Sequence, residues 1–311
     1  MSRHLVLLGL FVSIASAALA QNNRSAVSVA GLDTNPCTIA SPCRSFTSAI
    51  AVTNGGGEII ALDSAGYGPF TIGKAVTISG APGVHAAISV TTGTGIAVNA
   101  DKSVDRVILR NLVLIGAGGD IGIDYIGSES LRIIGCLIRG FQQYAVHSDI
   151  ITSLAAPDLA IDHTAIRDND GYGVFIDGGQ YPVRGIFTDC AFEGNNVGIH
   201  VDYNANVVIT NCTIANGATG LEVTVTTNNN LSSYVMVENS TVSNNGIGIF
   251  SNGLGAPGSN FASVAMSRLV LAYNTTATAI LGAGGEIRSF GNNRFVGNGS
   301  DGSGFLSQPF Q

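Results

Sequence analysis

Three short stretches of the chain could supply acid–base chemistry or bind a metal ion. Each places an aspartate two residues after a histidine or an aromatic residue: His147-Ser148-Asp149, Phe175-Ile176-Asp177 and His200-Val201-Asp202. Carboxylates and imidazoles are the usual general acids and bases, and carboxylate oxygens are the preferred ligands of Ca²⁺. The candidate catalytic residues are therefore Asp149, Asp177, Asp202, His147 and His200. The three aspartates are also the candidate Ca²⁺ ligands.

An internal repeat determines whether these residues lie together. Its clearest copies are 207–216 and 235–244, each with a β-branched run, an Asn and a second apolar run. The position of Cys212 recurs every 22 to 29 residues, at Leu112, Cys136, Thr164, Cys190, Cys212, Ser240, Leu269 and Asn293. The residue two positions later is always apolar. Fixed apolar points separated by variable lengths are typical of a solenoid of stacked coils.

The type of solenoid follows from the strand pattern. No 3.6-residue period survives a coil, which excludes helical repeats, and Val and Ile stand where a leucine-rich repeat needs Leu. Residues 57–297, with three short strands per coil and an Asn or Asp at one corner, resemble the right-handed parallel β-helix of the pectate-lyase-like superfamily. The corner residues are Asn111, Asp189, Asn211, Asn239 and Asn292. The resemblance implies an all-β, single-stranded, right-handed parallel β-helix.

Side chains alternate between the two faces of a strand, so each coil contributes to outward columns. The first predicted column is Asp124, His147, Phe175, His200, Glu222 and Phe250. The second is Ile126, Asp149, Asp177, Asp202, Thr224 and Asn252. We expect the insertions 150–158, 178–183, 225–234 and 253–263 to form a wall along this face. Asp124, Phe175 and Glu222 are the candidate substrate-binding residues.

Carboxylates on adjacent coils repel each other. At about 5 Å the repulsion is roughly 3 kcal/mol at an effective dielectric of 20. A Ca²⁺ ion, a protonated histidine or a shared proton would offset it. Two carboxylates about 5 Å apart also match the geometry of retaining glycosidases. These columns therefore favour a polysaccharide groove in which Phe175 stacks on a sugar ring.

Catalytic motifs of the resembled superfamily are absent. Its polygalacturonase-like members carry Asn-Thr-Asp, Asp-Asp, Gly-His-Gly and Arg-Ile-Lys, none of which occurs here. An enzyme of this architecture would be a polysaccharide lyase or a glycoside hydrolase. The alternative is a non-enzymatic structural or adhesive surface protein. Fold alone does not decide between them.

Composition excludes one class of partner. The formal net charge is -7, and the 311 residues include 45% hydrophobic and only 11% charged residues. Nucleic-acid binding requires a basic surface that neutralises phosphates. We therefore expect no nucleic-acid partner.

The N-terminal residues predict export. Met1–Ala20 has a basic residue, an apolar run and the small-x-small sequence Ala18-Leu19-Ala20, which is typical of a signal peptide. No later stretch is apolar enough to span a membrane. The expected location is secreted, periplasmic or at the cell envelope.

Residues 21–56 precede the repeat and are interpreted as a cap. Cys37 and Cys43 are expected to form a disulfide, because an exported chain enters an oxidising compartment. Ser41 is predicted to cap a helix that begins at Pro42 and ends at Gly55–Gly57. This capping α-helix should cover the open end of the solenoid. Residues 298–311 form a Gly- and Ser-rich tail.

The other three cysteines, Cys136, Cys190 and Cys212, share one column of the repeat. Cys190 and Cys212 fall on adjacent coils, at a distance that permits a disulfide. Free, buried thiols are the alternative, because cysteine is among the most buried residue types.

Overall fold

The computed structural model describes residues 22–100, 105–150, 157–179, 181–226, 231–255 and 260–307. The predicted signal peptide lies outside these residues. The elements are β1 (Asn22–Val27), α1 (Phe46–Val52), β2 (Thr53–Ala61), β3 (Ala65–Gly66), β4 (Phe70–Ile72), β5 (Val76–Gly80), β6 (Ala86–Val90), β7 (Thr94–Asn99), β8 (Arg106–Arg110), β9 (Leu112–Gly116), β10 (Ile121–Gly127), β11 (Ser130–Ile134), β12 (Leu137–Arg139), β13 (Tyr144–Asp149), β14 (Asp158–Asp162), β15 (Ala165–Arg167), β16 (Tyr172–Asp177), β17 (Val183–Thr188), β18 (Ala191–Glu193), β19 (Val197–Val201), β20 (Ala205–Thr210), β21 (Thr213–Ala215), β22 (Thr219–Val225), β23 (Ser233–Glu238), β24 (Thr241–Ser243), β25 (Ile247–Gly253), β26 (Ala262–Ser267), β27 (Val270–Ala272), β28 (Thr276–Leu281), β29 (Gly285–Ser289), β30 (Arg294–Val296) and β31 (Leu306–Ser307).

The strands form three parallel sheets, and each coil of the repeat contributes one strand to each. The twelve-stranded sheet has the order β1-β2-β5-β8-β11-β14-β17-β20-β23-β26-β29-β31. The ten-stranded sheet runs β3-β6-β9-β12-β15-β18-β21-β24-β27-β30, and the nine-stranded sheet runs β28-β25-β22-β19-β16-β13-β10-β7-β4. The predicted parallel β-helix with three strands per coil is confirmed.

The core consists of columns of apolar side chains in direct register. In the ten-stranded sheet, Ile138 pairs with Leu114 on one side and Ile166 on the other. In the nine-stranded sheet, Val146 pairs with Ile123 and Val174. These residues are fully buried. The sequence repeat therefore marks the interior correctly, because an inward residue on one coil lies directly over its equivalent on the next.

The corner between the twelve- and ten-stranded sheets requires a left-handed backbone. Asn111, Asp189, Asn211 and Asn239 all have φ between 49° and 57° there. Asn and Asp tolerate this region better than other non-glycine residues. Asn292 does not adopt it; the neighbouring Gly291 does, with φ 79°.

A second Asn ladder lies inside the solenoid, at the turn between the ten- and nine-stranded sheets. Asn169 donates to Asn195 Oδ1 at 2.7 Å, and Asn245 donates to Asn274 Oδ1 at 3.1 Å. All four side chains are buried. Asn274 also donates to the Val242 carbonyl at 3.0 Å. These amides satisfy backbone groups that the turn would otherwise leave unpaired.

The helix near the N-terminus begins later than predicted. Ser45, not Ser41, is the N-cap of α1, and its hydroxyl accepts a hydrogen bond from the Ser48 N–H at 3.2 Å. Asp33 fixes this start by accepting from the Ser45 N–H at 2.8 Å. Cys43 forms a β-bridge with Val27, so the residues around Pro42 are held extended.

The helix ends at Val52, before the glycines that were expected to stop it. Gly55–Gly57 instead lie within β2. A Cβ on Gly57 would come within 2.9 Å of the Asn23 carbonyl oxygen. The pairing of β1 with β2 is irregular here, so the glycines accommodate a bulge rather than terminate a helix.

Strands from both ends of the chain join the twelve-stranded sheet. β1 pairs with β2 ahead of the first repeat, and β31 pairs with β29 after the last.

A disulfide joins Cys37 and Cys43, with their Cα atoms 4.5 Å apart. The phenyl ring of Phe46, on α1, packs 4.8 Å from that of Phe70 on β4. The helix thus lies against the edge strand of the nine-stranded sheet.

Cys136, Cys190 and Cys212 are free and buried. The disulfide alternative for Cys190 and Cys212 is therefore not realised. In the described part of the chain, no helix is long and apolar enough to cross a membrane.

We predict that Asn274→Ala destabilises the protein by about 2–3 kcal/mol, because Asn245 and the Val242 carbonyl would lose buried hydrogen bonds. The free energy of unfolding in urea measures this. Asn206→Ala, at an exposed position on β20, is the control and should change stability by less than about 0.5 kcal/mol. Equal effects of the two substitutions would contradict a structural role for the inner ladder.

Candidate functional site

The outer surface of the nine-stranded sheet carries the predicted site residues. Asp124, His147, Phe175, His200 and Glu222 are direct neighbours on β10, β13, β16, β19 and β22. They point outward because the residue before each of them is a buried core residue. We call this surface the aromatic–acidic face; it consists of Asp124, Tyr144, His147, Asp149, Tyr172, Phe175, Asp177, His200, Asp202 and Glu222.

The three predicted aspartates lie on consecutive coils. Asp149 pairs directly with Asp177. Asp202 follows the end of β19, and its N–H donates to the Ile176 carbonyl at 2.8 Å, which continues the register. The Thr224 hydroxyl lies 3.4 Å from Asp202 Oδ1. Thus the second column is present as an acidic ladder.

Each histidine contacts an acid in the first column. His147 Nδ1 lies 2.9 Å from Asp124 Oδ1, and both side chains are largely buried. His200 Nδ1 lies 3.2 Å from Glu222 Oε2, but it is not aligned for a hydrogen bond and has no other partner. Only 7% of His200 is exposed. A buried polar atom without a partner is uncommon in native structures.

Two tyrosines that the sequence analysis missed join the aromatic residues. Tyr144 and Tyr172 stack 5.5 Å apart, and Tyr144 stacks on His147 at 4.5 Å. Phe175 lies parallel to His200 at 4.5 Å and meets Tyr172 edge-on at 5.0 Å. The signal was available: each tyrosine stands three residues before His147 or Phe175.

Burial and mutual repulsion act on the acidic ladder. Burial raises the pKa of Asp177, and the nearby Asp149 raises it further, although the Gly179 N–H opposes the shift. Burial likewise raises the pKa of Asp202; the Tyr203 N–H and His200 oppose this shift, and Asp177 adds to it. The pKa of Tyr203 is raised by burial and then by these same carboxylates. Ionisation of the ladder therefore has an unfavourable electrostatic component.

The ladder offers the all-oxygen ligand set that Ca²⁺ prefers. Its three carboxylates do not come within 4.8 Å of one another as a group. Among the described residues, Asp162, His163 and Asp189 alone do so, at an exposed corner away from this face. A Ca²⁺ ion would thus have to draw Asp149, Asp177 and Asp202 together, and its binding there stays a prediction.

The arrangement also permits acid–base chemistry. Neighbouring carboxyl groups in different environments can divide the roles of proton donor and acceptor. Asp177, with its raised pKa, lies beside the exposed Asp149 on the adjacent strand. Asp177 would then be the proton donor of such a pair.

The predicted wall of loops lies partly outside the described residues, which exclude 151–156, 180, 227–230 and 256–259. A hollow of about 520 Å³ lies elsewhere, on the outer surface of the twelve-stranded sheet. Ile186, Val208, Tyr234 and Met236 give it an apolar lining. Titratable groups converge on the aromatic–acidic face instead, so we assign the candidate chemistry there.

Comparison with known proteins agrees with the architecture. Residues 121–298, more than half of the chain, match the right handed beta helix region. The chain belongs to this right-handed β-helix family. The handedness that the sequence resemblance implied is thereby confirmed. Among curated proteins, none matches the chain in sequence.

Solved structures share the fold at low sequence identity. A pectate lyase, Pel9A, superimposes with a TM-score of 0.69 and 14% identity, covering 94% of this chain and 80% of its own. The A-module of Azotobacter vinelandii mannuronan C-5 epimerase AlgE4 gives a TM-score of 0.47 and 13% identity, covering 82% of this chain and 91% of its own. The likeness to the pectate lyase shows the β-helix fold.

We predict that Ca²⁺ binds the acidic ladder and that Asp177→Asn weakens binding at least tenfold, a loss of about 1.4 kcal/mol. Calorimetry measures the affinity. Terbium luminescence sensitised by Tyr203, which lies near the ladder, locates the ion. Asp170→Asn, at an exposed position outside the face, should leave binding unchanged. No Ca²⁺ binding by the unaltered protein would rule out the site.

A second prediction concerns stability and pH in the presence of a chelator. Because the folded-state pKa of Asp177 lies above its ordinary value of 3.8, ionisation destabilises the fold as pH rises through that pKa. Asp177→Asn should therefore raise the free energy of unfolding near neutral pH by about 1 kcal/mol, which is the repulsion expected for partly solvated charges. The gain should vanish below pH 3.8. A gain independent of pH would contradict this cause, and Asp170→Asn is the control.

Proposed function

We propose that the aromatic–acidic face binds a polysaccharide that lies across successive coils. The observation that carries this proposal is a contiguous row of rings in stacked and edge-on contact, from Tyr144 and His147 to Tyr172, Phe175 and His200. Ligand sites in proteins combine aromatic surfaces with a few polar groups that fix orientation. Here rings would pack on the apolar faces of sugars, and Asp149, Asp177 and Asp202 would accept hydrogen bonds from hydroxyl groups.

The fold supports this function without deciding it. A pectate lyase uses the same architecture, so a polysaccharide-acting protein can be built on it, but fold alone does not fix function. The case for this chain comes from its own side chains. Asp177 and Asp202 beside His147 and His200 are also the residues that would process a bound glycan, through acid–base catalysis.

The structural or adhesive alternative is favoured by the apolar hollow on the twelve-stranded sheet. Ile186, Val208 and Tyr234 are 55%, 44% and 52% exposed there. Contiguous exposed apolar residues often mark a surface that contacts another macromolecule. In that case the twelve-stranded sheet, rather than the aromatic–acidic face, would carry the function.

We further propose that the protein acts outside the cytoplasm. The signal-peptide pattern of Met1–Ala20 and the Cys37–Cys43 disulfide support export, since structural disulfides persist mainly in oxidising compartments.

We predict that Phe175→Ala lowers glycan affinity at least tenfold, because the central ring of the row is lost. Affinity electrophoresis against neutral, uronic and amino glycans identifies the ligand, and calorimetry measures its affinity. Release of reducing ends in the same mixtures reports processing. The matched control is Tyr234→Ala, which removes an exposed ring from the twelve-stranded sheet.

Two outcomes would contradict the assignment. One is that no glycan in the panel binds the unaltered protein. The other is that Tyr234→Ala abolishes binding while Phe175→Ala preserves it, which would move the site to the twelve-stranded sheet.

A further inference from the structure

The strands of the nine-stranded sheet carry acidic side chains but no lysine or arginine. Its strands carry four carboxylates, those of Asp124, Asp149, Asp177 and Glu222, and Asp202 follows directly after β19. Protonated histidines are therefore the sole cations that these strands can supply.

The two histidines are already engaged with acids of the first column. His147 contacts Asp124, and His200 lies beside Glu222. In contrast, Asp149, Asp177 and Asp202 form no ion pair with any residue that the structure describes. His147 and His200 act on Asp177 and Asp202 only at longer range. The acidic ladder thus presents three carboxylates without a directly paired cation along three coils.

This charge discriminates between classes of glycan. A carboxylate of a uronic acid placed about 4 Å from a ladder aspartate would cost roughly 1 kcal/mol in water and about 4 kcal/mol at an effective dielectric of 20. Like charges brought together at an interface oppose binding, and opposite charges favour it. An ammonium group at the same place would be attracted by the aspartate with an electrostatic energy of similar size.

The aromatic rings favour the same ligand. A cation within about 6 Å of a ring centroid is attracted by the ring's electron-rich face. Tyr144, Tyr172 and Phe175 line the strands that carry Asp149 and Asp177. The buried Nδ1 of His200 has no hydrogen-bond partner and lies 3.2 Å from Glu222 Oε2, within the same face. Rings beside carboxylates are suited to an ammonium group carried on an apolar sugar ring.

We propose that the ligand of the aromatic–acidic face is an amino-sugar glycan with free, protonated amino groups, rather than a polyuronate. This inference rests on the proposed function and specifies its substrate class. The ammonium groups meet Asp149, Asp177 and Asp202, and the sugar rings pack on Tyr172 and Phe175. A Ca²⁺ ion bound at the ladder would compete with such a ligand.

The test compares three oligosaccharides of equal length: a glucosamine oligomer, its N-acetylated counterpart and a galacturonate oligomer. Calorimetry is performed in slightly acidic buffer with a chelator. We expect the glucosamine oligomer to bind at least tenfold more tightly than the acetylated one. Added salt should reduce this difference, because it screens exposed charges. The galacturonate oligomer should bind most weakly.

Substitutions test which carboxylates cause the preference for the glucosamine oligomer. Asp177→Asn and Asp202→Asn should bring the affinity for the glucosamine oligomer close to that for the acetylated oligomer. Asp170→Asn should leave both affinities unchanged. Thermal unfolding of each variant verifies that it is folded.

The outcomes separate this inference from the proposed function. If the acetylated or the galacturonate oligomer binds at least as tightly as the amine, and Phe175→Ala weakens that binding, the inference is wrong and polysaccharide binding stands. The inference is also wrong if the aspartate variants keep the preference for the amine. Failure of all glycans to bind overturns the proposed function and this inference with it.

Discussion

The structure depends on parallel hydrogen bonding that holds each coil in register with the next. A slip of one residue would exchange inward and outward side chains along a whole strand. The register is fixed from inside by apolar columns such as Leu114, Ile138 and Ile166, and by the buried amides of Asn245 and Asn274. The same register therefore also fixes the positions of the outward side chains. Whatever residue occupies a given point of a coil stands about 4.8 Å from its equivalents on the neighbouring coils.

This constraint makes stacked acids costly, and the two outward columns respond to it differently. In the first column, the two histidines and Phe175 lie between Asp124 and Glu222, so no two carboxylates are adjacent. In the second column Asp149, Asp177 and Asp202 follow one another without an intervening residue of another type. The first column is electrostatically balanced by the chain itself. In the second, the N–H groups of Gly179 and Tyr203 oppose the upward pKa shifts of Asp177 and Asp202 without cancelling them. A bound cation or a proton would relieve the remaining repulsion.

Sequence predicted what depends on the repeat and missed what depends on distant contacts. The core columns and the alignment of His147 with Phe175 follow from apolar residues at equivalent points. The start of α1 at Ser45 did not follow, because Asp33 and the Cys43–Val27 bridge determine it. The inner Asn ladder was missed because Asn in a turn looks the same whether it faces inward or outward. Tyr144 was missed because its spacing of three residues from His147 does not match the two-residue alternation of a strand that defined the outward columns.

The paired arginines contact acids on their own sheet rather than the acidic ladder. On the twelve-stranded sheet, Arg184 pairs with Asp158 at 2.6 Å and Arg288 with Glu286 at 2.8 Å. These pairs belong to another face of the solenoid, since each sheet presents its own outer surface. These arginine side chains form ion pairs with acids on the same sheet, where acid and base lie on the same strand or on neighbouring strands. The strands of the nine-stranded sheet carry no lysine or arginine, and His147 and His200 contact acids of the first column. A cation that pairs directly with the ladder would therefore come from outside this sheet.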